Sequence, residues 1–195
     1  VASDPSYYAL QASAGTVGFQ GLGDKLELSA SNVQVAVNGG STDKIVNFSA
    51  LTDWDGTGSG SAVSTGLVIG SVTLKASAQQ LQASGTMTVK IDSYVYLKGS
   101  LSFNKGAPVS VTLSDNSTQT LNLMTIGASN VSGFVGSGFS SFKADNKPND
   151  EALGLYLSNV SLGLALLKGT VASDPSYYAL QASAGTVGFQ GLGDK

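Results

Sequence analysis

The stretch LGLYLSNVSLGLALL, residues 153–167, is the most apolar part of the sequence and decides which folds the chain can adopt. Its first leucines recur at every second residue, which is the pattern of a strand with one buried face. Beyond Ser158-Asn159 the alternation resumes at Val160, three residues after Leu157 rather than two. The apolar pattern therefore changes parity at Ser158-Asn159. A strand keeps one apolar face through such a change only where its backbone bends or bulges.

The same change of parity recurs along the chain. Apolar residues spaced by two are followed by a step of three within residues 12–19, 28–37, 74–83 and 126–135. Ser-Asn also fills this step at Ser31-Asn32 and Ser129-Asn130. Asparagine tolerates the left-handed backbone conformation that a bend can require. We therefore predict an all-β chain built from repeated units of strand, Ser-Asn corner and strand.

The chain also contains a long exact duplication. Residues 1–25 and residues 171–195 both read VASDPSYYALQASAGTVGFQGLGDK. Internal repetition is the signature of a repeat architecture. We interpret residues 1–170 as one complete repeat unit and residues 171–195 as the start of the next identical repeat, within a longer tandem array. The two copies of the segment are then expected to occupy equivalent environments.

Two all-β architectures fit these patterns. Recurrent corners between small or apolar strands are typical of a parallel β-solenoid, or β-helix, in which each rung covers the edge of the one before it. A rod of that kind built from tandem repeats is the leading prediction. The strand-corner-strand units are irregularly spaced along the period, which favours the alternative of stacked antiparallel β-sandwich modules.

The composition excludes several classes of site. The chain has no Cys, no His and no Arg, and its net charge is −3. Zinc thiolate sites, Cys-His pairs and Ser-His-Asp triads therefore cannot form. An acidic chain without Arg is a poor nucleic-acid binder. The sequence contains no apolar run of 18 residues, so we expect no membrane-inserted segment. We accordingly expect a protein that is not an enzyme.

Two acidic clusters are candidate calcium sites, because carboxylate oxygens are the ligands that this cation prefers. One cluster contains Asp53 and Asp55, and the other contains Asp145, Asp150 and Glu151. The alternative, which the sequence favours, is that these residues form exposed turns with capping carboxylates and bind no cofactor. Calcium is the one cofactor for which the sequence offers ligands. The single Trp54 lies beside the first cluster, where it could contact a sugar or pack over the end of a core.

Three segments resemble the long tandem repeats of very large bacterial secreted or surface proteins, the giant adhesin and haemagglutinin-like class. The segments are SVTLKASAQQLQASGTMTVKIDSYVYLKGSLSF, TQTLNLMTIGASNVSGFVG and LGLYLSNVSLGLALLKG. The resemblance implies an extracellular, non-enzymatic fibre or stalk. Calcium-binding nonapeptides often accompany that class, but the GGxGxDxxx pattern does not occur in this sequence.

The function predicted from these observations is structural. We expect a repeat of an extracellular bacterial filament, stalk or surface-layer protein that assembles end to end with identical repeats. Its partners would be adjacent repeats and other chains of the fibre. The alternative is an adhesin module that binds a glycan or a surface through the loops at Trp54 and at residues 145–151.

Overall fold

A computed structural model describes residues 4–19, 25–42, 44–51 and 66–192. The all-β prediction is confirmed. Among the described residues the only helical element is a 3-10 turn at Phe48–Ala50. No helix in these ranges is long and apolar enough to cross a bilayer. The strands are β1 (Tyr7–Gly18), β2 (Leu26–Gly40), β3 (Leu67–Ile69), β4 (Val72–Leu74), β5 (Gln80–Ile91), β6 (Val95–Gly106), β7 (Val109–Thr112), β8 (Thr118–Ser137), β9 (Leu153–Gly169), β10 (Ser176–Ser183) and β11 (Thr186–Gln190).

Nine of these strands form one sheet. Its main path runs β1-β2-β5-β6-β8-β9-β10, while β11 pairs with β9 and β7 pairs with β8. Strands β3 and β4 form a separate hairpin. Every strand pairing in the described part of the chain is antiparallel.

The predicted parallel solenoid is therefore wrong, and the antiparallel strand direction of the alternative is correct. Connection length gives the physical reason. Strands β5 and β6 are joined by three residues, with Asp92 at φ 49°. So short a connection can only return the chain antiparallel to itself, since parallel neighbours need a crossover of about a dozen residues or more.

The Ser-Asn sites are bulges inside long strands rather than corners between strands. Asn32, Asn130 and Asn159 all adopt φ 52°, in the left-handed region that asparagine tolerates. Strand pairing changes register beside Asn32, between Ser31 and Gln34, and again around Asn130. The expectation that Asn adopts the left-handed conformation where the apolar parity changes is confirmed, but the predicted Ser-Asn corner is wrong. The inferred change of direction is wrong, because β8 and β9 continue through the bulge for 20 and 17 residues.

Each bulge keeps the apolar side chains on one face of the sheet. On one side of the Asn32 bulge, Ser41 donates its N–H to the carbonyl of Ser6 at 2.9 Å, and its Oγ accepts the N–H of Ser6 at 3.0 Å. On the other side, the carbonyl of Leu28 accepts the N–H of Phe19 at 3.2 Å. Residues of this segment that bond towards the first strand therefore have odd numbers on the Ser41 side of the bulge and even numbers on the Leu28 side. In a strand of L-residues, the edge towards which a residue directs its backbone bonds fixes the face on which its side chain lies. The apolar positions change parity together with the bonded positions, so the apolar side chains stay on one face.

A close backbone approach accompanies the bulge at Asn130. Gly99 of β6 lies against Val131, and a Cβ built on Gly99 would sit 2.6 Å from Val131 Cγ2 and 3.0 Å from its Cα. Contacts this short leave no room for a side chain. The glycine is therefore required by the neighbouring strand rather than by its own conformation.

The opposite face of the sheet carries a small aromatic core. Tyr96, Phe134 and Tyr156 form one cross-strand row on β6, β8 and β9. Phe139 from the β8–β9 connection stacks on Phe134 at 4.8 Å and lies 5.0 Å from Tyr96, measured between ring centroids. Phe142 packs edge-on against Phe139 at 5.1 Å. Residues 138–152 thus fold back over this face and bury the row.

Asn149 orders this covering connection. Its Oδ1 accepts the N–H of Ser140 at 2.9 Å, and its Nδ2 donates to the carbonyl of Gly138 at 3.0 Å. Its own N–H donates to the carbonyl of Ser141. One side chain therefore satisfies backbone groups at the start of the connection that would otherwise be left without partners.

We predict that Gly99→Ala destabilises the chain by about 1–3 kcal/mol, because the added methyl group overpacks against the Val131 backbone. The measurement is the free energy of unfolding in urea. Gly163→Ala is the matched control, since a Cβ there meets nothing within 4 Å. The control should be neutral or stabilising by up to about 1 kcal/mol, as Gly→Ala restricts the unfolded chain. Equal effects of the two substitutions would contradict the close approach at Gly99.

Candidate assembly surfaces

The duplicated segment forms the same strand in both of its copies. Position 1 of the repeat corresponds to residue 171, so β10 and β11 cover repeat positions 6–13 and 16–20. Strand β1 covers positions 7–18. Strands β10 and β11 also pair with β9 in a single register, from Ser176 opposite Lys168 to Gln190 opposite Gly154. They are therefore one strand with a short interruption.

The two copies have different neighbours. Strand β1 pairs with β2 at one end of the sheet order, and β10 with β11 pairs with β9 at the other end. The prediction of equivalent environments is therefore wrong within this chain. In the part of the chain that the structure describes, no further strand pairs with the outer edge of either copy. An unpaired strand edge presents a row of free N–H and carbonyl groups, which is a template for further pairing.

One face of the sheet is apolar, and many of its side chains are exposed among the residues that the structure describes. Leu101, in the middle of the sheet, is 40% exposed, and Val135 is 60% exposed. The total accessible surface of 12789 Å² exceeds the about 8,600 Å² expected for a folded monomer of this mass. The exposed apolar residues of this face are Tyr8, Leu10, Val17, Phe19, Leu26, Leu81, Met87, Ile91, Leu97, Leu101, Ile126, Val135, Leu153, Leu155, Tyr178, Leu180, Val187 and Phe189.

The apolar face carries almost no charge. Of the charged residues in the nine-stranded sheet, Glu27, Lys90 and Lys98 lie on the aromatic face, and only Lys105 and Lys168 share the apolar one. Exposed apolar patches of more than a few hundred Å² mark interaction sites in folded proteins. This face is therefore the second candidate assembly surface, beside the strand edges.

The acidic loop that sequence analysis singled out lies in the β8–β9 connection. Asp145 Oδ1 accepts the N–H of Lys147 at 3.2 Å, which closes a turn. Asp150 forms a 2.7 Å ion pair with Lys143, and this contact raises the pKa of the Lys143 ammonium. Glu151 is exposed to solvent. Asp145 and Asp150 are thus engaged in local contacts that shape the turn.

The calcium hypothesis stays a prediction. Within residues 4–19, 25–42, 44–51 and 66–192, no group of three or more Asp, Glu, His or Cys side chains is arranged to hold a metal. Asp53, Asp55 and Trp54 lie outside the described residues.

A groove separates the β3–β4 hairpin from the aromatic face of the sheet, at a part of that face where the side chains are polar. Its volume is 660 Å³, and its sheet side is lined by the amide side chains of Gln11, Gln34, Gln82 and Asn104. Among the described residues that line it, Lys75 is the only ionisable one. Sequence analysis did not identify this groove. Its three glutamines lie one each on β1, β2 and β5, and only the strand pairing brings them together.

The aromatic row beneath the loop was also missed. Tyr96, Phe134 and Tyr156 lie at the strand positions between the alternating apolar residues, so their side chains point to the other face. Aromatic residues at these positions were the sequence signal for a second, smaller core. Burial, and to a lesser degree the nearby Glu27 carboxylate, raises the pKa of the Tyr96 hydroxyl. The row anchors the connection, with Phe134 and Tyr156 buried and Tyr96 partly buried.

No protein-family model matches this chain, and neither a curated protein nor a solved structure is similar to it. The assembly surfaces must therefore be interpreted from their geometry.

We predict that the native chain binds an apolar fluorescent dye such as ANS, because its apolar face is open to solvent. Replacing Leu97 and Leu101 by Ser should lower the dye signal. Both leucines are more than a third exposed, so the cost in unfolding free energy should stay near about 1 kcal/mol. Replacing Gln34 and Gln82 by Ser on the opposite face is the control and should leave the signal unchanged. A native chain without dye signal would show that the face is covered.

Proposed function

We propose that this chain is a structural repeat of an extracellular bacterial filament, stalk or surface layer, in which identical repeats assemble end to end. One observation carries the proposal: the duplicated segment forms the strands at opposite ends of a single sheet. The same segment pairs with β2 at one end of the sheet and with β9 at the other. A repeat with such ends is suited to joining copies of itself. An array of such repeats would extend in the direction of the strand order.

The shape of the sheet supports this role. The described strands are long, antiparallel and arranged largely in one layer, and their backbone ladders supply hydrogen bonds along the direction of growth. In quasi-one-dimensional arrays, stability is the sum of the repeat terms and the interface terms between neighbours. The placement outside a bacterial cell rests on the resemblance of the repeats to those of giant adhesins.

Small-angle X-ray scattering from chains with one, two and four complete periods tests the structural role. We expect the maximum dimension to grow in proportion to the number of periods, because each period adds the same set of strands. Negative-stain electron microscopy of the longest chain should show unbranched rods. Compact particles, or separate beads joined at variable angles, would contradict a rod. Antibody labelling of intact, unpermeabilised producing cells tests the extracellular location.

The groove under the β3–β4 hairpin favours the adhesin role as a second candidate. Amide side chains in a polar cleft can exchange hydrogen bonds with sugar hydroxyl groups. We predict that a glycan-array signal, if carried by this groove, falls about fivefold or more in Gln11→Ala combined with Gln82→Ala, since two lost hydrogen bonds cost about 1–3 kcal/mol. Gln181→Ala is the matched control, because Gln181 is the repeat equivalent of Gln11 and lies outside the groove. Equal losses in both variants would remove the groove as the site.

A further inference from the structure

We propose that consecutive repeats share one strand, so that the array is a single uninterrupted antiparallel sheet. Residues 7–19 of each period would pair through one edge with β2 of their own period and through the other edge with β9 of the preceding period. The partner is a second copy of this repeat. The inference rests on the proposed function, in which identical repeats follow one another.

The backbone groups of the shared strand point in the directions that this arrangement needs. Ser6 directs both its N–H and its carbonyl towards Ser41, on the β2 side. In the second copy, the carbonyl of Pro175 accepts the N–H of Gly169 at 3.2 Å, on the β9 side. Pro175 is repeat position 5, adjacent to position 6. Since neighbouring residues of a strand direct their backbone groups to opposite edges, one strand makes both sets of bonds at once.

The register of the sheet is also consistent across the boundary. Two cross-strand rows can be followed from the first copy to the second, one on each side of the bulges. The first row is Leu10, Val37, Leu81, Lys105, Met124, Leu166 and Tyr178. The second row is Phe19, Leu28, Val89, Leu97, Gly133, Leu157 and Val187.

Both rows are displaced by the same number of residues between the first and the second copy of the segment. The first begins at repeat position 10 and ends at position 8, and the second begins at position 19 and ends at position 17. The displacement is two residues in each row, so the bulges on the two sides of the boundary stay aligned. Because the displacement is even, every side chain keeps its face in the next period. The apolar face would therefore continue from one repeat to the next.

Side-chain contacts of the two copies are complementary. A Cβ built on Gly188 would lie 2.9 Å from the Tyr156 ring, whereas the equivalent Gly18 has nothing within 4 Å. Conversely, Tyr8 lies over Gly39, and its equivalent Tyr178 is 81% exposed. The space at Gly18 is where Tyr156 of a preceding period would lie. In β1 alone, no contact explains a glycine at that position.

The arrangement sets the dimensions of the array. Six strands lie on the sheet path from β1 to β9, so each period would add about 29 Å at about 4.8 Å per strand. The two-residue displacement staggers each period by about 7 Å along the strand direction. The duplicated strand is counted once per period, because the end of one repeat is the start of the next.

Amide hydrogen exchange tests the shared strand directly. The probe is this chain extended by one complete 170-residue period, with segmental ¹⁵N labelling of the middle copy of the duplicated segment. We expect slow exchange at both odd and even positions of its residues 7–13, because both edges are paired. The 195-residue chain, labelled in one copy at a time, is the control. Protection there should be confined to even positions in β1 and to odd positions of the repeat in β10.

Protection of only one set of positions in the middle copy would overturn the shared strand. A second readout is Gly→Val at repeat position 18. In the 195-residue chain, Gly188→Val should increase exchange in β11 and Gly18→Val should not. In the extended chain, the substitution in the middle copy should increase exchange on its β9-facing side. If rods form while the middle copy is protected on one side only, the proposed filament stands and the shared strand is wrong.

Discussion

The left-handed asparagine bulge is the constraint on which the rest of this structure depends. The strands of 15 to 20 residues in this sheet must keep their apolar side chains on one face over their whole length. Asn32, Asn130 and Asn159 each insert one residue and reverse the alternation at the same level of the sheet. The apolar sequence pattern reverses at the same residues, so local backbone and burial agree. A non-glycine residue other than Asn or Asp would strain the backbone at these positions.

This constraint also shapes the surfaces. With the parity restored, nearly all the apolar side chains of the sheet lie together, and the aromatic row and its covering connection lie on the other side. The chain provides a cover for the aromatic face through residues 138–152. The described residues provide none for the apolar face, which is consistent with an accessible surface well above that of a compact monomer. The sheet is thus built as a layer with two unlike faces and two matching edges.

The two edge strands of the sheet are the feature that bears most directly on assembly. Edge strands are an aggregation liability in most sheets, and proteins usually cover or charge them. Here the edge segment is duplicated in the sequence and carries no lysine between positions 5 and 19. One copy pairs with β2 and the other pairs with β9, through opposite edges of the strand. In the proposed array, a strand that would be an edge becomes interior in every repeat except the terminal ones. Position 18 illustrates the point, since its glycine has a packing reason only where Tyr156 lies beside it.

Much of the local structure could be predicted from residues near one another in the chain. The alternation in residues 153–167 indicates a strand, the Ser-Asn steps indicate a change of backbone conformation, and the duplication predicts a 170-residue period. The architecture could not be predicted in this way, because a bulge and a solenoid corner leave the same mark on the apolar pattern. Nor could the groove lined by Gln11 and Gln82 or the aromatic row be predicted.

The sequence by itself determined that this is an all-β chain in which a 25-residue segment occurs twice, because side-chain periodicity and identity can be read along the chain. Only the tertiary structure decided that the strands run antiparallel, which strands are neighbours, and that the duplicated segment lies at opposite ends of one sheet. Those features depend on hydrogen bonds between residues far apart in the chain. Such bonds join backbone groups that every residue shares, so the amino-acid sequence carries little record of them.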